Sequence, residues 1–395
     1  MIFKSASLPR AIWALGLTSL FMDVSSEMIH GLLPLYITGT MGAGAIAVGL
    51  IEGVAEATAL IVKVFAGVVS DITGKRKLLA LIGYGLAAIT KPLFPLAQSL
   101  DVIIAARFID RIGKGIRGAP RDALVADIAP KERLGEAYGL RQALDTVGAF
   151  IGPLIAVAVM LSSVDNFRLV FWIAVIPAAS SVATLFFFVP EREAPPKGTS
   201  KPTLTLKAIK ALPHAFWIVL SIGGLLSLAR VSDAFLVLRV AGLGLPIAYA
   251  PLVLVAMNII YALFAYPAGK LADTLSRPKL LAAGIIALIA ADAVLAAAPS
   301  LGWGGAGLIL WGLHMALTQG LLAAMVAANA PQEVRGTAFG LFNLASGLAM
   351  LLGNSAGGLL WDMAGGSATF IASGIAVTGC LALLPLLRET RETPV

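Results

Sequence analysis

Long apolar runs recur from one end of the chain to the other, near residues 11–37, 43–69, 78–98, 101–122, 137–161, 167–189, 214–240, 246–271, 279–298, 302–328, 336–362 and 366–387. At about 1.5 Å per residue in a helix, each is long enough to cross a hydrocarbon layer of about 30 Å. The predicted fold is therefore all-α, an integral membrane protein of twelve transmembrane helices. Composition agrees, with 58% hydrophobic residues, 13% charged residues and a mean hydropathy of +0.91, far from the values of soluble domains.

Basic residues collect after alternate spans: Lys75, Arg76 and Lys77 after the second, Arg117, Arg121, Lys131 and Arg133 after the fourth, Lys197, Lys201, Lys207 and Lys210 after the sixth. Arg277 and Lys279 follow the eighth, Arg335 the tenth, and Arg388 and Arg391 the twelfth, whereas odd-numbered spans end in nearly uncharged turns such as TGTMGAGA. Because basic loops stay cytoplasmic, both termini are expected in the cytoplasm of a cell whose inner membrane holds the chain. This bias accounts for the net charge of +7, which is not read as a nucleic-acid signal. Cys380, the one cysteine, excludes an internal disulfide framework and a thiolate metal cluster.

The chain repeats itself. APKERLGEAYGL (Ala129 to Leu140) matches APQEVRGTAFGL (Ala330 to Leu341), GVVSDITGKRK (Gly67 to Lys77) matches GKLADTLSRPK (Gly269 to Lys279), and PRAIW matches PHAFW. Two related six-helix halves are expected, residues 1–189 and 214–395, joined by a polar linker over 190–213 that is rich in Pro and Lys. Parallel six-span repeats are a transporter architecture, with the substrate held between the halves near the bilayer midplane.

On these motifs the chain resembles a major facilitator superfamily (MFS) transporter over nearly all of its length, within a bacterial subgroup of unnamed substrate. The superfamily's Gly-x-x-x-Asp-x-x-Gly loop, followed by basic residues, matches Gly67, Asp71, Gly74, Lys75 and Arg76. The resemblance implies a conformational latch for this loop, with Gly67 allowing close helix contact and Asp71 sitting at a helix N-terminus. The second copy keeps Gly269, Asp273 and Arg277 but has Ser276 for the second glycine, which implies a weaker latch. In GLRQALDTVGAFIGP, Gly139, Gly148, Gly152 and Pro153 have the spacing of the superfamily's antiporter motif, in which small residues and a proline let helices pack tightly and bend. Ala156 and Val157 stand where that motif usually closes with glycines. Arg111 and Gly115 match its Arg-x-x-x-Gly motif, with Arg107 as the alternative arginine.

Ionisable residues inside spans are costly, about 2.5–3.5 kcal/mol each on insertion scales. Asp23, Glu27 and His30 stand at i, i+4 and i+7 of the first span and share one stripe. Glu52 and Glu56 form a second i, i+4 pair, Lys63 and Lys91 follow, and Arg107, Asp110, Arg111, Lys114 and Arg117 crowd the fourth span. Spacing suits intrahelical pairs Asp110/Lys114 and Arg141/Asp145. Asp23 and Glu27 have no base on their own stripe and repel each other when both are ionised, which suits loading and release of a proton. Pairing with Arg107 or Arg111 is the structural alternative, and the same arginines are the alternative for Glu52 and Glu56. Carboxylates and an imidazole are also metal-ligand types, but three on one helix assign no metal site.

The second half differs. Its seventh span carries Arg230 and Asp233, with Ser232 and Asp233 answering Ser26 and Glu27, while its tenth has no charge and offers Trp311, His314 and Gln319. Asn258, Tyr261, Asn343 and Asn354 lie on neighbouring spans. Candidate coupling or substrate-binding residues are thus Asp23, Glu27, His30, Glu52, Glu56, Arg107, Arg111, Arg230 and Asp233. The predicted activity is secondary transport by alternating access, as a proton-coupled antiporter exporting a small organic substrate. The alternative is proton-coupled uptake or exchange of an anionic solute or metal complex held by those arginines. The expected partners are the small-molecule substrate, protons and the lipid bilayer, with no cofactor, no nucleic acid and no second subunit. No nucleophile-base constellation or phosphate loop suggests an enzyme.

Overall fold

The computed structural model describes residues 8–130, 133–191, 209–210, 212–331 and 334–387, leaving out the side chains of Asp71, Ala272, Asp273, Thr274 and Arg335. Most of the expected linker lies outside the described residues. The principal helices are α1 (Arg10–His30), α2 (Ala45–Thr73), α3 (Arg76–Thr90), α4 (Leu100–Ile128), α5 (Leu134–Ser162) and α6 (Phe167–Phe188). They continue as α7 (His214–Ala229, resuming as Asp233–Gly242), α8 (Leu252–Thr274), α9 (Arg277–Ala297), α10 (Leu301–Ala328), α11 (Arg335–Ala364) and α12 (Gly366–Leu383). Among the described residues, eleven helical stretches are long and apolar enough to cross a membrane. The twelfth, α4, spans 29 residues but carries too many charges to qualify by composition.

Local chemistry sets the ends. Asn166 caps α6 by accepting the Leu169 N–H at 3.1 Å, and Asp101 in the first turn of α4 complements the helix dipole. The α11–α12 turn passes through Gly365 at φ +84°, a conformation that favours glycine. α1 stops at Gly31, and the chain continues through Leu33–Leu35 into a π turn over Tyr36–Thr40.

Packing gathers the residues into two units. One takes the chain through Leu33 and resumes at Thr58, and the other takes Pro34–Ala57 with the chain after the linker. α2 thus passes from one unit into the other. In the first unit, Ile12, Leu15 and Met22 of α1 share a core with Ala80 and Tyr84 of α3, Leu124 and Val125 of α4 and Leu185 of α6. α3 and α4 cross at backbone contact: a Cβ on Gly83 would lie 2.7 Å from the Gly113 oxygen, and one on Gly113 2.6 Å from the Gly83 oxygen. Where lipid offers no hydrophobic drive for helix association, such close approach supplies the dispersion that holds helices together.

In the second unit the start of α2 lies along α11. A Cβ on Gly358 would stand 2.6 Å from the Ala45 oxygen, one on Gly53 3.0 Å from the Leu351 Cα and one on Gly347 3.2 Å from the Ala57 Cα. At the end of this seam the Asp362 carboxylate accepts the N–H groups of Ala45 at 2.7 Å and Ile46 at 2.9 Å. It satisfies two of the donors that a helix N-terminus leaves open and meets the positive end of the dipole. Replacing Asp362 with alanine is therefore expected to cost about 1 to 2 kcal/mol, read as a lower unfolding temperature of the detergent-solubilised protein. Asp362→Asn, which keeps an acceptor, is expected to lose less.

Large apolar side chains such as Ile89 (72% exposed) and Phe187 (73%) face outward, as a lipid-embedded surface requires.

Candidate functional site

The polar stripe of α1 is built from Ser19, Asp23, Ser26, Glu27 and His30. Bases from α3 and α4 engage most of it. Arg121 Nη1 donates to Ser19 Oγ at 3.0 Å, Lys91 Nζ to Ser26 Oγ at 3.2 Å, and Arg107 Nη2 to His30 Nδ1 at 2.8 Å. Asp23 and Glu27 are left half-buried, and among the described residues neither has an ion-pair partner within 4 Å. Pairing of these two acids with Arg107 or Arg111 is thus not what the structure contains. Bases lie within longer Coulomb range: Arg117, Arg121 and Lys114 for Asp23, and Lys114, Arg111 and Arg107 for Glu27.

α5 holds the two acids from behind. A Cβ on Gly148 would sit 2.6 Å from the Leu20 oxygen and 3.1 Å from the Asp23 Cβ, and one on Gly152 2.6 Å from the Val24 oxygen and 3.1 Å from the Glu27 Cβ. Two glycines four residues apart therefore seat two carboxylates four residues apart, one contact each. Pro153 follows inside α5, where its missing N–H loosens the helix ladder. Gly139 takes no part: it is exposed near the start of α5, and a Cβ there would meet nothing within 4 Å.

Several other charges of this unit are engaged. Lys91 (2% exposed) bonds Asp110 at 3.0 Å, so Asp110 finds its base on α3 rather than solely within its own helix. Arg141 bonds Asp145 at 2.7 Å, the i, i+4 pair expected from spacing, and also approaches Asp122 at 3.8 Å. Arg117 is buried over the Tyr84 ring at 4.9 Å from its centroid, a cation–π contact. Glu52, buried, and Glu56, half-buried, stand on the part of α2 that belongs to the second unit, whereas Arg107 and Arg111 are buried on α4 in the first.

Of the expected latch, Gly67 lies with its Cβ position 3.4 Å from the Ala119 Cβ, and Gly74 turns the chain at φ +66°. Arg76 is buried against Asp127 and the Ala123 oxygen. The Asp71 and Asp273 side chains lie outside the described residues, and a Cβ on Gly269 would meet nothing within 4 Å, so that copy has no close approach at its glycine.

Arg230 and Asp233 flank the break in α7. There Ser232 Oγ accepts the Ala234 N–H at 3.3 Å while Asn354 Oδ1 of α11 accepts the Ser232 N–H at 2.7 Å. Trp311 and His314 are fully buried, the His314 Nδ1–H donating to the Gly284 oxygen at 2.8 Å. Two acids escaped the sequence reading: Asp362 at the end of α11, and Asp292, the one charge in a long apolar stretch of α9. The second had a visible signal, a lone carboxylate in the run LLAAGIIALIAADAVLAAA.

The long apolar helices define a multi-pass membrane protein. The chain belongs to the Major Facilitator Superfamily, whose family model matches residues 15–353 and 234–395. It is 31% identical to an uncharacterised MFS-type transporter of Methanocaldococcus jannaschii, covering 95% of each chain. The inner membrane transport protein YajR of Escherichia coli is 23% identical, with 96% of this chain and 84% of that one covered. Among solved structures, the nucleoside transporter NupG superposes with a TM-score of 0.82 at 14% identity, over 96% of this chain and all of the other (100%). At that identity the likeness concerns the fold.

Proposed function

We propose that this MFS transporter is a proton-coupled antiporter that exports a small organic solute by alternating access, with Asp23 and Glu27 as the proton-coupling carboxylates. The observation that carries this reading is the contrast along α1. Ser19, Ser26 and His30 are engaged by bases, whereas Asp23 and Glu27 have none within 4 Å among the described residues. A carboxylate not committed to a base can take a proton on one side of the membrane and release it, or exchange it for a cationic group of the substrate, on the other. The antiporter-type glycines Gly148 and Gly152 hold both acids at fixed depth. The two sequence halves, 1–189 and 214–395, would move against each other, with the loop from Gly67 to Arg76 as the latch. The chain would work as a monomer in a cytoplasmic membrane with both termini inside.

Everted membrane vesicles with an imposed pH gradient test this, with a pH-sensitive dye read as organic cations, organic anions and divalent metals are added in turn. Collapse of the gradient by organic cations or neutral amphiphiles is expected, and its loss in Asp23→Asn and Glu27→Gln vesicles that still contain the inserted protein. Undiminished gradient-driven flux in both variants would remove these residues as the proton site. A response confined to anions, or accumulation of labelled anions by whole cells, would replace export by uptake through Arg107, Arg111 or Arg230.

A further inference from the structure

The two sequence halves share a repeat, and one stretch of it packs alike in each unit. Ala129 and Ala330 of the repeated segment are 201 positions apart. The same step carries Gly83 onto Gly284 and Arg117 onto Thr318, and the packing follows: Gly83 meets Arg117 and Gly284 meets Thr318. It also carries Lys91 onto Asp292 and Asp110 onto Trp311. Where the first unit has a closed ion pair, the second has an acid and an indole.

Neither of these is fully satisfied among the described residues. Asp292 is fully buried, with Ser373 Oγ donating to its Oδ2 at 2.7 Å, while its Oδ1 has no hydrogen-bond partner among the described residues. Trp311 Nε1 is likewise buried and without a partner. The two lie at one level: α9 and α10 are registered by Leu295 against Gly307 and by Gly284 against Thr318, which sets residue 292 beside residues 310–311. Both also touch the same stretch of α12. The Trp311 ring is edge-on to Phe370 at 6.4 Å, and the Asp292 Cβ lies 3.4 Å from the Cβ position of Gly374.

Among the described residues no Lys or Arg is paired with the carboxyl. α10 and α12 carry no Lys or Arg. His314 of α10 is bonded to the Gly284 oxygen, two turns away along α9, and Cys380 of α12 is buried with Sγ 4.0 Å from the Ile222 oxygen. Arg239, beyond the α7 break, gives its guanidinium to the oxygens of Leu295 at 2.8 Å, Ala296 at 3.1 Å and Ala298 at 3.2 Å. α8 brings Tyr261, Tyr266 and Lys270, the lysine stacked on the Tyr266 ring at 4.9 Å, and Asp273, whose side chain lies outside the described residues. The turn over Leu384–Leu386 brings no titratable group.

We propose that Asp292 is a further proton-binding carboxyl, located in the second unit, with Trp311 as the indole donor available to its ionised form. An acid buried with one hydrogen bond and no base is tolerated as the neutral form. Loss of its proton leaves a carboxylate that needs a further donor, and the unmatched Trp311 N–H is the donor at that level. The site is independent of Asp23 and Glu27, so its failure would leave the coupling role of α1 intact.

The test uses the full chain in liposomes and the proton itself as probe. Infrared difference spectra are recorded between low and high pH for the wild type and for Asp292→Asn. The expected result is a carboxylic acid C=O band that weakens as pH rises and is lost in Asp292→Asn. Spectra that coincide, or a band that Asp292→Asn removes but pH does not alter, would overturn the proposal. Should Asp292→Asn not insert, Ser373→Ala carries the test: removal of the hydroxyl must move the frequency of the pH-dependent band, and an unmoved band counts against it. Asp23→Asn spectra, recorded alongside, report on α1 separately.

Discussion

Lys91→Met is expected to destabilise the protein by about 3 to 5 kcal/mol, the usual consequence of stranding a buried charge. Lys91 and Asp110 are 2% and 5% exposed in their side chains and bonded at 3.0 Å. Both ions gave up hydration to reach this place, and each is tolerated largely because of the other. Removing the ammonium leaves the buried Asp110 carboxylate without its hydrogen-bonded base, with Arg111, Arg117 and Arg107 acting only at longer Coulomb range, and removes the contact to Ser26 on α1 as well. The double variant Lys91→Met/Asp110→Leu is expected to regain most of the loss, because two apolar side chains need no hydration replaced. Thermal unfolding of the detergent-solubilised single and double variants gives the coupling directly. A double variant no more stable than Lys91→Met would show that the pair does not act as a unit. The half-exposed pair Arg133–Glu136 offers the contrast: despite its 2.6 Å separation, Arg133→Ala is expected to cost less than about 1 kcal/mol, since water and salt screen it.

Gly152→Val and Gly148→Val are expected to abolish transport. A side chain at either position would begin 2.6 Å from a backbone oxygen of α1, inside any permitted contact, and backbone cannot rotate aside as a flexible side chain can. α5 would have to move off α1, and Asp23 and Glu27, whose Cβ atoms stand 3.1 Å from the same positions, would move with the contact. Even alanine is expected to cost about 1 to 3 kcal/mol at each site, the range of overpacking in well-filled cores. Gly139→Ala is the control from the same motif. With open space around it, the substitution is expected to be neutral or to stabilise the helix by up to about 1 kcal/mol, since alanine is the better helix former. Dye-reported flux in vesicles, normalised to inserted protein, separates the cases. Full flux in Gly152→Val would mean that α1 and α5 do not need this approach in the working cycle.

The sequence by itself determined a great deal here. Hydropathy requires membrane-spanning helices, since a lipid environment allows few other backbone solutions, and the runs it marks correspond to the helices observed, α4 included despite its charges. Helical periodicity alone places Asp23, Glu27 and His30 on one stripe and Arg141 beside Asp145, because residues three or four apart in a helix must be neighbours. The spacing of Gly148 and Gly152 announces a close helix contact for the same reason.

Tertiary structure alone decided the partners. That Lys91 bonds Asp110 and Ser26, that Arg107 goes to His30, and that Asp23 and Glu27 are passed over depend on which faces of α1, α3 and α4 meet. Asp362 on the N-terminus of α2 joins residues 317 positions apart, and the open oxygen of Asp292 follows from what α10 and α12 happen not to bring to it. Periodicity within a helix is a local property written in residue order. The identity of the group across an interhelical contact is set by the register and rotation of helices distant in the chain, which depend on the sum of many small packing energies.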